Sequence, residues 1–166
     1  MSFLTVPLES SFNKKAFSCG IEALDNYLHN QANQDVKRKL AVCYVWPDAN
    51  GNIIGYYTIS SDSILQETLP LEVTRRLPNS YVNLPVILIG RLARDIHYKG
   101  QGVGEHLLLD ALHRCYDISF QVGSMAVVVD PIDKNAVNFY QKYDFQLLPD
   151  SGRMFLEMET IKGLFS

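Results

Sequence analysis

The chain has 166 residues, 47% of them hydrophobic, with a formal net charge of −3 and a pI near 5.8. That composition can build a core of ordinary size, which excludes intrinsic disorder, and its acidic balance gives no overall attraction to a polyanion. No stretch reaches the ~18 uninterrupted apolar residues of a membrane span, and the start Met1-Ser2-Phe3-Leu4-Thr5-Val6-Pro7 lacks a charged leader. Cys19, Cys43 and Cys115 form neither a close pair nor an even set, so a cytoplasmic protein with reduced thiols, no disulfide and no zinc is expected.

In chain order, Phe3 to Pro7 predicts a short first strand. Ile21, Leu24, Leu28 and Ala32 recur at helical spacing and predict a helix continuing toward Lys37. Leu40 to Trp46 and Ile53 to Ser60 predict strands around Asp48-Ala49-Asn50-Gly51, whose Asn-Gly is a hairpin signal. From Leu65 to Leu84, Pro70 and Pro78 bracket Leu71 to Leu77, which predicts a short helix in an excursion from the sheet. A strand over about 86 to 94, a helix from Val103 to Cys115, a strand over 124 to 129, a helix from Asp133 to about Asp144 and two last strands follow. The order is β-α-α-β-β-(insert)-β-α-β-α-β-β, read as one α/β domain over residues 1–166 with helices on both faces of a mixed sheet.

The segment Lys99-Gly100-Gln101-Gly102-Val103-Gly104 sits where a strand feeds a helix. A helix N-terminus has N–H groups without internal partners and carries a partial charge of roughly +0.5, while glycine allows positive φ and close approach of an anion. Pyrophosphate is the natural ligand. A Rossmann fingerprint would need glycine at Glu105, and a Walker loop would need Lys and Ser or Thr after Gly104, where Glu105 and His106 stand. Taken alone, the segment is also compatible with a glycine-rich surface turn.

A second segment, Asp133 to Phe145, again follows a strand, Met125-Ala126-Val127-Val128-Val129. Asp133 is placed to cap the helix, and Ala136, Phe139, Tyr140 and Tyr143 give it one apolar face. The first segment resembles the acetyl-CoA loop of the GNAT N-acetyltransferases, Q/R-x-x-G-x-G/A, with Lys99 where Gln or Arg is usual. The second resembles their N-x-x-A-x-x-F-Y-x-x-x-G-F signature, with Asp144 in place of the helix-ending glycine. Phe17-Ser18-Cys19-Gly20, Leu24-Asp25, Tyr27-Leu28, Gln34-Asp35 with Arg38, Gly55 to Ser60 and Gly90-Arg91-Leu92-Ala93 extend the likeness over nearly the whole chain. They are similar to the GNAT subgroup that serves as toxins in bacterial toxin–antitoxin pairs.

The resemblance implies a GNAT acyltransferase fold, a central mixed, mostly antiparallel sheet with helices on both faces. It implies acetyl-CoA as co-substrate, with Lys99, Gly100, Gln101, Gly102, Val103 and Gly104 on the pyrophosphate. Backbone at Leu92 and Ala93 would lie along the pantetheine and thioester, Asn135 would stand beside the cofactor, and Tyr140 would be the acid that protonates the leaving thiolate. Without the family pattern, Tyr140 is one more aromatic on a packed face. Asp95, His97 and Asp130 are conceivable bases, and each reads better as a structural or solvated residue.

The toxin likeness further implies acetylation of the α-amino group of an aminoacyl-tRNA, with a ribbon-helix-helix antitoxin and a homodimer as partners. An α-amine titrates near 8, and lower when the acid is esterified, so such an acceptor needs little help from a base. Lys37, Arg38, Arg75, Arg76, Arg91 and Arg94 are the candidates to meet RNA in a chain whose net charge is otherwise unfavourable. Two alternatives stand beside this reading: a GNAT enzyme acting on a small-molecule or protein amine, and an idle acyl-CoA-binding module. His29, His106 and His113 show no metal-ligand spacing and no G-x-S-x-G elbow occurs, so neither a metal nor an acyl-enzyme is expected.

Overall fold

The computed structural model describes residues 2–166. Its strands are β1 (Val6–Pro7), β2 (Val42–Pro47), β3 (Ile53–Leu65), β4 (Asn83–Arg94), β5 (Ala126–Val129), β6 (Gln146–Leu147) and β7 (Met154–Glu157). Its α-helices are α1 (Glu22–Asn30), α2 (Ala32–Lys37), α3 (Leu71–Thr74), α4 (Val103–Ile118), α5 (Lys134–Gln141) and α6 (Met158–Leu164). The strands form one mixed, mostly antiparallel sheet in the order β1-β2-β3-β4-β5-β7-β6. The neighbours β4 and β5 are joined through α4, the kind of crossover a parallel pair requires. The element order matches expectation except for α6, which the sequence reading missed. Two compact units are apparent, one up to Ser60 with Ile89–Leu112, the other Ser61–Leu88 with His113–Ser166.

In the first unit β2 lies antiparallel to both neighbours, with Val45 opposite Val6 and Tyr56. The first strand is shorter than Phe3 to Pro7 because the chain before Val6 is held by a side chain: Asp110 accepts from the Leu4 N–H at 2.7 Å and from the Thr5 hydroxyl. The β2–β3 turn is wider than a two-residue Asn-Gly hairpin. The Asp48 carboxylate accepts from the N–H groups of Asn50 (2.8 Å) and Asn52 (3.0 Å), Gly51 takes φ +84°, and the register shifts between Trp46 and Pro47. The helical face expected to run on toward Lys37 is divided, in keeping with the expected order β-α-α, at Gln31 (φ −123°, ψ −34°), which closes α1 by donating to the Tyr27 carbonyl at 2.9 Å and leads into α2.

Tyr56 and Gly55 show why helices can cover both faces of β3. Tyr56 donates to the Leu24 carbonyl of α1 at 2.6 Å, while a Cβ added to Gly55 would stand 2.5 Å from Cδ1 of Leu107 on α4. Adjacent strand residues point to opposite faces, so α1 and α4 lie on opposite sides. The α1 side is filled by Phe17, Tyr27, Leu28, Ala32, Cys43, Val45 and Tyr56. Each large side chain buried there contributes about 1.5–3 kcal/mol of transfer free energy before entropy is counted.

In the second unit β5 is antiparallel to β7, with Val128 opposite Phe155, and β7 is antiparallel to β6. Ala126, Val128 and Phe155 share a core with Leu84 and Val86 of β4 and with Val73, the one buried residue of α3. All four residues of β5 are buried, as expected of a strand covered on both faces. The excursion after β3 contains a 3₁₀ turn, Gln66–Thr68, and α3, pinned where the Gln66 amide group donates to the Pro78 (3.1 Å) and Tyr81 (2.7 Å) carbonyls. Among the described residues no helix is long and apolar enough to cross a membrane.

Candidate functional site

Three features of the first unit follow one another along the chain: the end of β4, a 3₁₀ turn at Ile96–Tyr98, and the glycine segment that opens α4. Asp95 organises the turn. Its carboxylate accepts from the His97 N–H (2.9 Å), the Ser18 N–H (3.1 Å) and Nδ1 of the His97 ring (2.6 Å). Burial raises the Asp95 pKa, but the hydrogen bonds from His97 and Ser18 outweigh it and hold the carboxyl below its ordinary value. Asp95 and His97 are thus bound to one another in a corner that holds the turn.

Gly100 and Gly102 adopt φ +80° and +74°, the left-handed conformation that favours glycine. The first backbone bond onto the helix is His106 N–H to the Gly102 carbonyl at 3.1 Å, and His106 Nδ1 also lies 2.8 Å from that oxygen. The amides of Val103, Gly104 and Glu105 therefore stand in a first helical turn without i−4 carbonyls, the donor set that an anion meets at a helix N-terminus. A Cβ built on Gly100 would meet nothing within 4 Å, and one on Gly102 only the His106 ring, 3.6 Å away. The glycines are there for backbone conformation and not to relieve crowding by the protein. Lys99 is exposed beside them.

At the end of β4, Leu92 is half-buried and Ala93 buried. A Cβ on Gly90 would lie 3.1 Å from Oγ1 of Thr58, which shares a face of β3 with Tyr56, and the Arg91 guanidinium lies 3.5 Å from the centroid of the Tyr27 ring on α1. Gly90 and the Arg91 guanidinium thus both reach the α1 face.

In the second unit the Asp133 carboxylate caps α5, accepting from the Ala136 N–H at 2.8 Å, as its position suggested. The helix stops where the Tyr140 carbonyl receives the N–H groups of Tyr143 (3.0 Å) and Phe145 (3.3 Å), with Asp144 at φ +69° where glycine would be more usual. Asn135 is exposed on the first turn. Tyr140 is 9% exposed, its ring 5.3 Å from those of both Phe139 and Phe145, and its hydroxyl has no hydrogen bond to a described residue. Burial pushes its phenol up from 10.0 to about 12, so it is a neutral proton donor at physiological pH. Asp130 accepts from Nε of Arg153 at 2.9 Å.

The basic candidates divide by their partners. Arg76 is engaged with Glu157 at 3.1 Å, while Lys37, Arg38 and Arg75 are exposed and make no ion pair among the described residues. Arg91 and Arg94 are half-buried, and neither has a carboxylate within 4.0 Å among the described residues. No group of His, Cys, Asp or Glu side chains among the described residues could hold a metal.

Residues 9–145 match the acetyltransferase (GNAT) family. The chain is 33% identical, over 150 residues, to a protein of Mycobacterium tuberculosis named tRNA-acetylating toxin, with 90% of this chain and 88% of that protein covered. Among solved structures it is similar to AtaT complexed with acetyl-methionyl-tRNAfMet, with a TM-score of 0.90 and 25% identity over 99% of this chain and 100% of the other. It is also similar to AtaTR bound with AcCoA, with a TM-score of 0.85 and 26% identity over 98% and 97%.

Proposed function

Because the chain belongs to the acetyltransferase (GNAT) family, an acetyl-CoA-dependent N-acetyltransferase is the premise, and we propose that its acceptor is the α-amino group of an aminoacyl-tRNA. The observation that supports the acceptor is the likeness to a tRNA-acetylating toxin along nine-tenths of the chain. Acetylating that amine removes the nucleophile of peptide-bond formation, so the proposed consequence is arrest of translation. A ribbon-helix-helix antitoxin, a second copy of the chain and a cytoplasmic site of action belong to the same proposal.

Bound acetyl-CoA supplies an acetyl group activated as a thioester. Lys99, Gly100, Gln101, Gly102, Val103 and Gly104 would hold its pyrophosphate, through first-turn amides and one cation, and the positive φ angles of Gly100 and Gly102 fit that use. Backbone at Leu92 and Ala93 would align the thioester, and Asn135 would contact the cofactor. Tyr140 would give its proton to the departing sulfur, a role that its uncommitted hydroxyl, protonated at physiological pH, allows. Asp95, His97 and Asp130 each stand in a local pair, and an acceptor whose amine is substantially neutral near pH 7 needs little help from any of them. Lys37, Arg38, Arg75, Arg76, Arg91 and Arg94 are the proposed RNA contacts.

The net charge of −3 favours a second reading, acetylation of a small-molecule or protein amine. One experiment separates the two. Purified protein with acetyl-CoA should stop cell-free translation, the block should need acetyl-CoA and Tyr140, and the acetyl group should be found on the α-nitrogen of the tRNA-linked amino acid. Inhibition should fade as salt rises, with a shallower slope when Lys37 and Arg38, or Arg75 and Arg76, are neutralised. Undisturbed translation together with turnover of polyamine or peptide amines would establish the second reading instead.

A further inference from the structure

Resting on that reading, we infer that Arg91 is the residue that grips the phosphate nearest the acetyl acceptor, and that Tyr27 and Asp35 are the positioning residues that hold it ready. The chain gives the partly buried Arg153 two carboxylates, Asp62 at 2.7 Å and Asp130 at 2.9 Å. Arg91 receives none among the described residues. Its guanidinium carbon lies over the Tyr27 ring, 3.5 Å from the centroid, and no described residue accepts a hydrogen bond from it. The nearby Asp35 carboxylate accepts from the Tyr27 hydroxyl at 2.8 Å, and Tyr27 in turn stacks on Tyr56 at 6.4 Å with the rings 12° from parallel. The cation therefore rests on a ring that is itself held by a hydrogen bond and a stacked neighbour. Withdrawing a guanidinium from water without a counter-ion is unfavourable, so the arrangement suits an anion brought from outside.

A phosphodiester fits the planar fork of donors. Arg91 immediately precedes Leu92 and Ala93, so an anion on its guanidinium would lie within roughly 10 Å of their backbone. In an aminoacyl-tRNA, the α-amine and the phosphorus on the 5′ side of the terminal adenosine are separated by a chain of bonds that spans at most about 10 Å. The two lengths agree. The exposed cations Lys37, Arg38 and Arg75 have no ring to fix them and would act as diffuse attraction along the RNA, whereas Arg91 would set the acceptor end at one distance from the thioester.

The test uses two non-hydrolysable acceptors, 3′-aminoacylamino-adenosine and its 5′-phosphate, with aminoacyl-tRNA assayed in parallel on the full chain. The wild-type protein should favour the phosphorylated acceptor in kcat/KM by about tenfold to a hundredfold, chiefly through KM. Arg91→Gln should bring the ratio near one, Arg91→Lys should leave an intermediate ratio, and Tyr27→Leu should lower it while Tyr27→Phe, which keeps the ring, lowers it less. Acetyl-CoA binding measured by calorimetry checks that each variant is folded. A wild-type ratio near one, or a ratio that survives in both Arg91 variants, overturns the assignment while acetylation of aminoacyl-tRNA still supports the reading beneath it. Failure to acetylate aminoacyl-tRNA at all overturns both.

Discussion

The Asp110 carboxylate on α4 accepts a hydrogen bond from the Tyr57 hydroxyl at 2.8 Å, in a site where only 8% of Asp110 is exposed. The same carboxylate takes the Leu4 N–H and the Thr5 hydroxyl, so one side chain ties the N-terminal segment and β3 to the helix that carries the glycine turn. With three donors on one carboxylate, each partner is satisfied without a cation.

Replacing that carboxylate should be among the most damaging changes in the chain. Asp110→Ala removes the acceptor shared by the Leu4 N–H and the Thr5 and Tyr57 hydroxyls and should destabilise the fold by about 2–4 kcal/mol. For a protein of this length the melting temperature should drop by roughly 5–15 °C. Tyr57→Phe, which removes one donor and leaves the carboxylate satisfied, should do less than half of that. Thermal unfolding of the two variants side by side is the measurement, and equal losses would contradict this account.

The glycine turn predicts an effect on ligand affinity with little effect on folding. A side chain at Gly102 meets no protein atom nearer than 3.6 Å, so the change costs the fold only the strain of φ +74°, about 1–2 kcal/mol. Gly102→Asp places a negative charge where phosphate is expected, and acetyl-CoA affinity should fall by well over tenfold in calorimetry. Gly102→Ala should fall between that variant and the wild type. Unchanged affinity in Gly102→Asp would remove the turn from the site.

Tyr140 predicts the opposite division. Its hydroxyl bonds to no described residue, so Tyr140→Phe should change stability at pH 7 by less than about 0.5 kcal/mol while lowering kcat by about 10² to 10⁴. Because folding raises this phenol from 10.0 to about 12, the folded state holds its proton over a range where the unfolded chain has lost it. Its contribution to stability is complete below pH 10 and disappears as pH climbs toward 12. In Tyr140→Phe the fall of unfolding free energy across that window should be shallower by one proton, readable in urea titrations at several pH values.

Arg153 gives the acid counterpart. Burial pushes the Asp62 carboxyl up, but the hydrogen bond from Arg153 outweighs it and holds the group below its ordinary value. A carboxyl depressed in the folded state stabilises above its unfolded pKa, near 3.9, and that stabilisation is lost as pH falls through the folded value. Arg153→Met should therefore cost about 1–2 kcal/mol at pH 7, discounted for the partial exposure of both partners, and the difference from wild type should shrink below about pH 4.

What the sequence disclosed was local. The cap at Asp133, the left-handed residue at Asp144 and the glycine turn before Val103 are each set by a few neighbouring residues, and all appear where their patterns placed them. The shortening of β1 depends on Asp110, 106 residues beyond Leu4, and no spacing rule reaches that far. The break at Gln31 interrupts an apolar repeat that reads as continuous, because α1 and α2 both turn buried residues, Leu28 and Ala32, to the same core. Helix α6 carries just two buried residues, Met158 and Ile161, too few to show a period beside the strand it follows. The sequence marks Arg91 as one of several cations that could meet RNA, but not the Tyr27 ring beneath it, which comes from a helix far off in the chain.

Both outer strands of the sheet, β1 and β6, are two residues long, and β1 ends in a proline that has no N–H to offer. A foreign strand arriving at either side would find at most a few open backbone groups, which makes the sheet a poor seed for strand-by-strand growth. A chain of 47% hydrophobic residues and nearly balanced charge is thereby kept from polymerising through its own backbone. Any durable complex it enters has to be built from side chains, and so remains open to change by single substitutions.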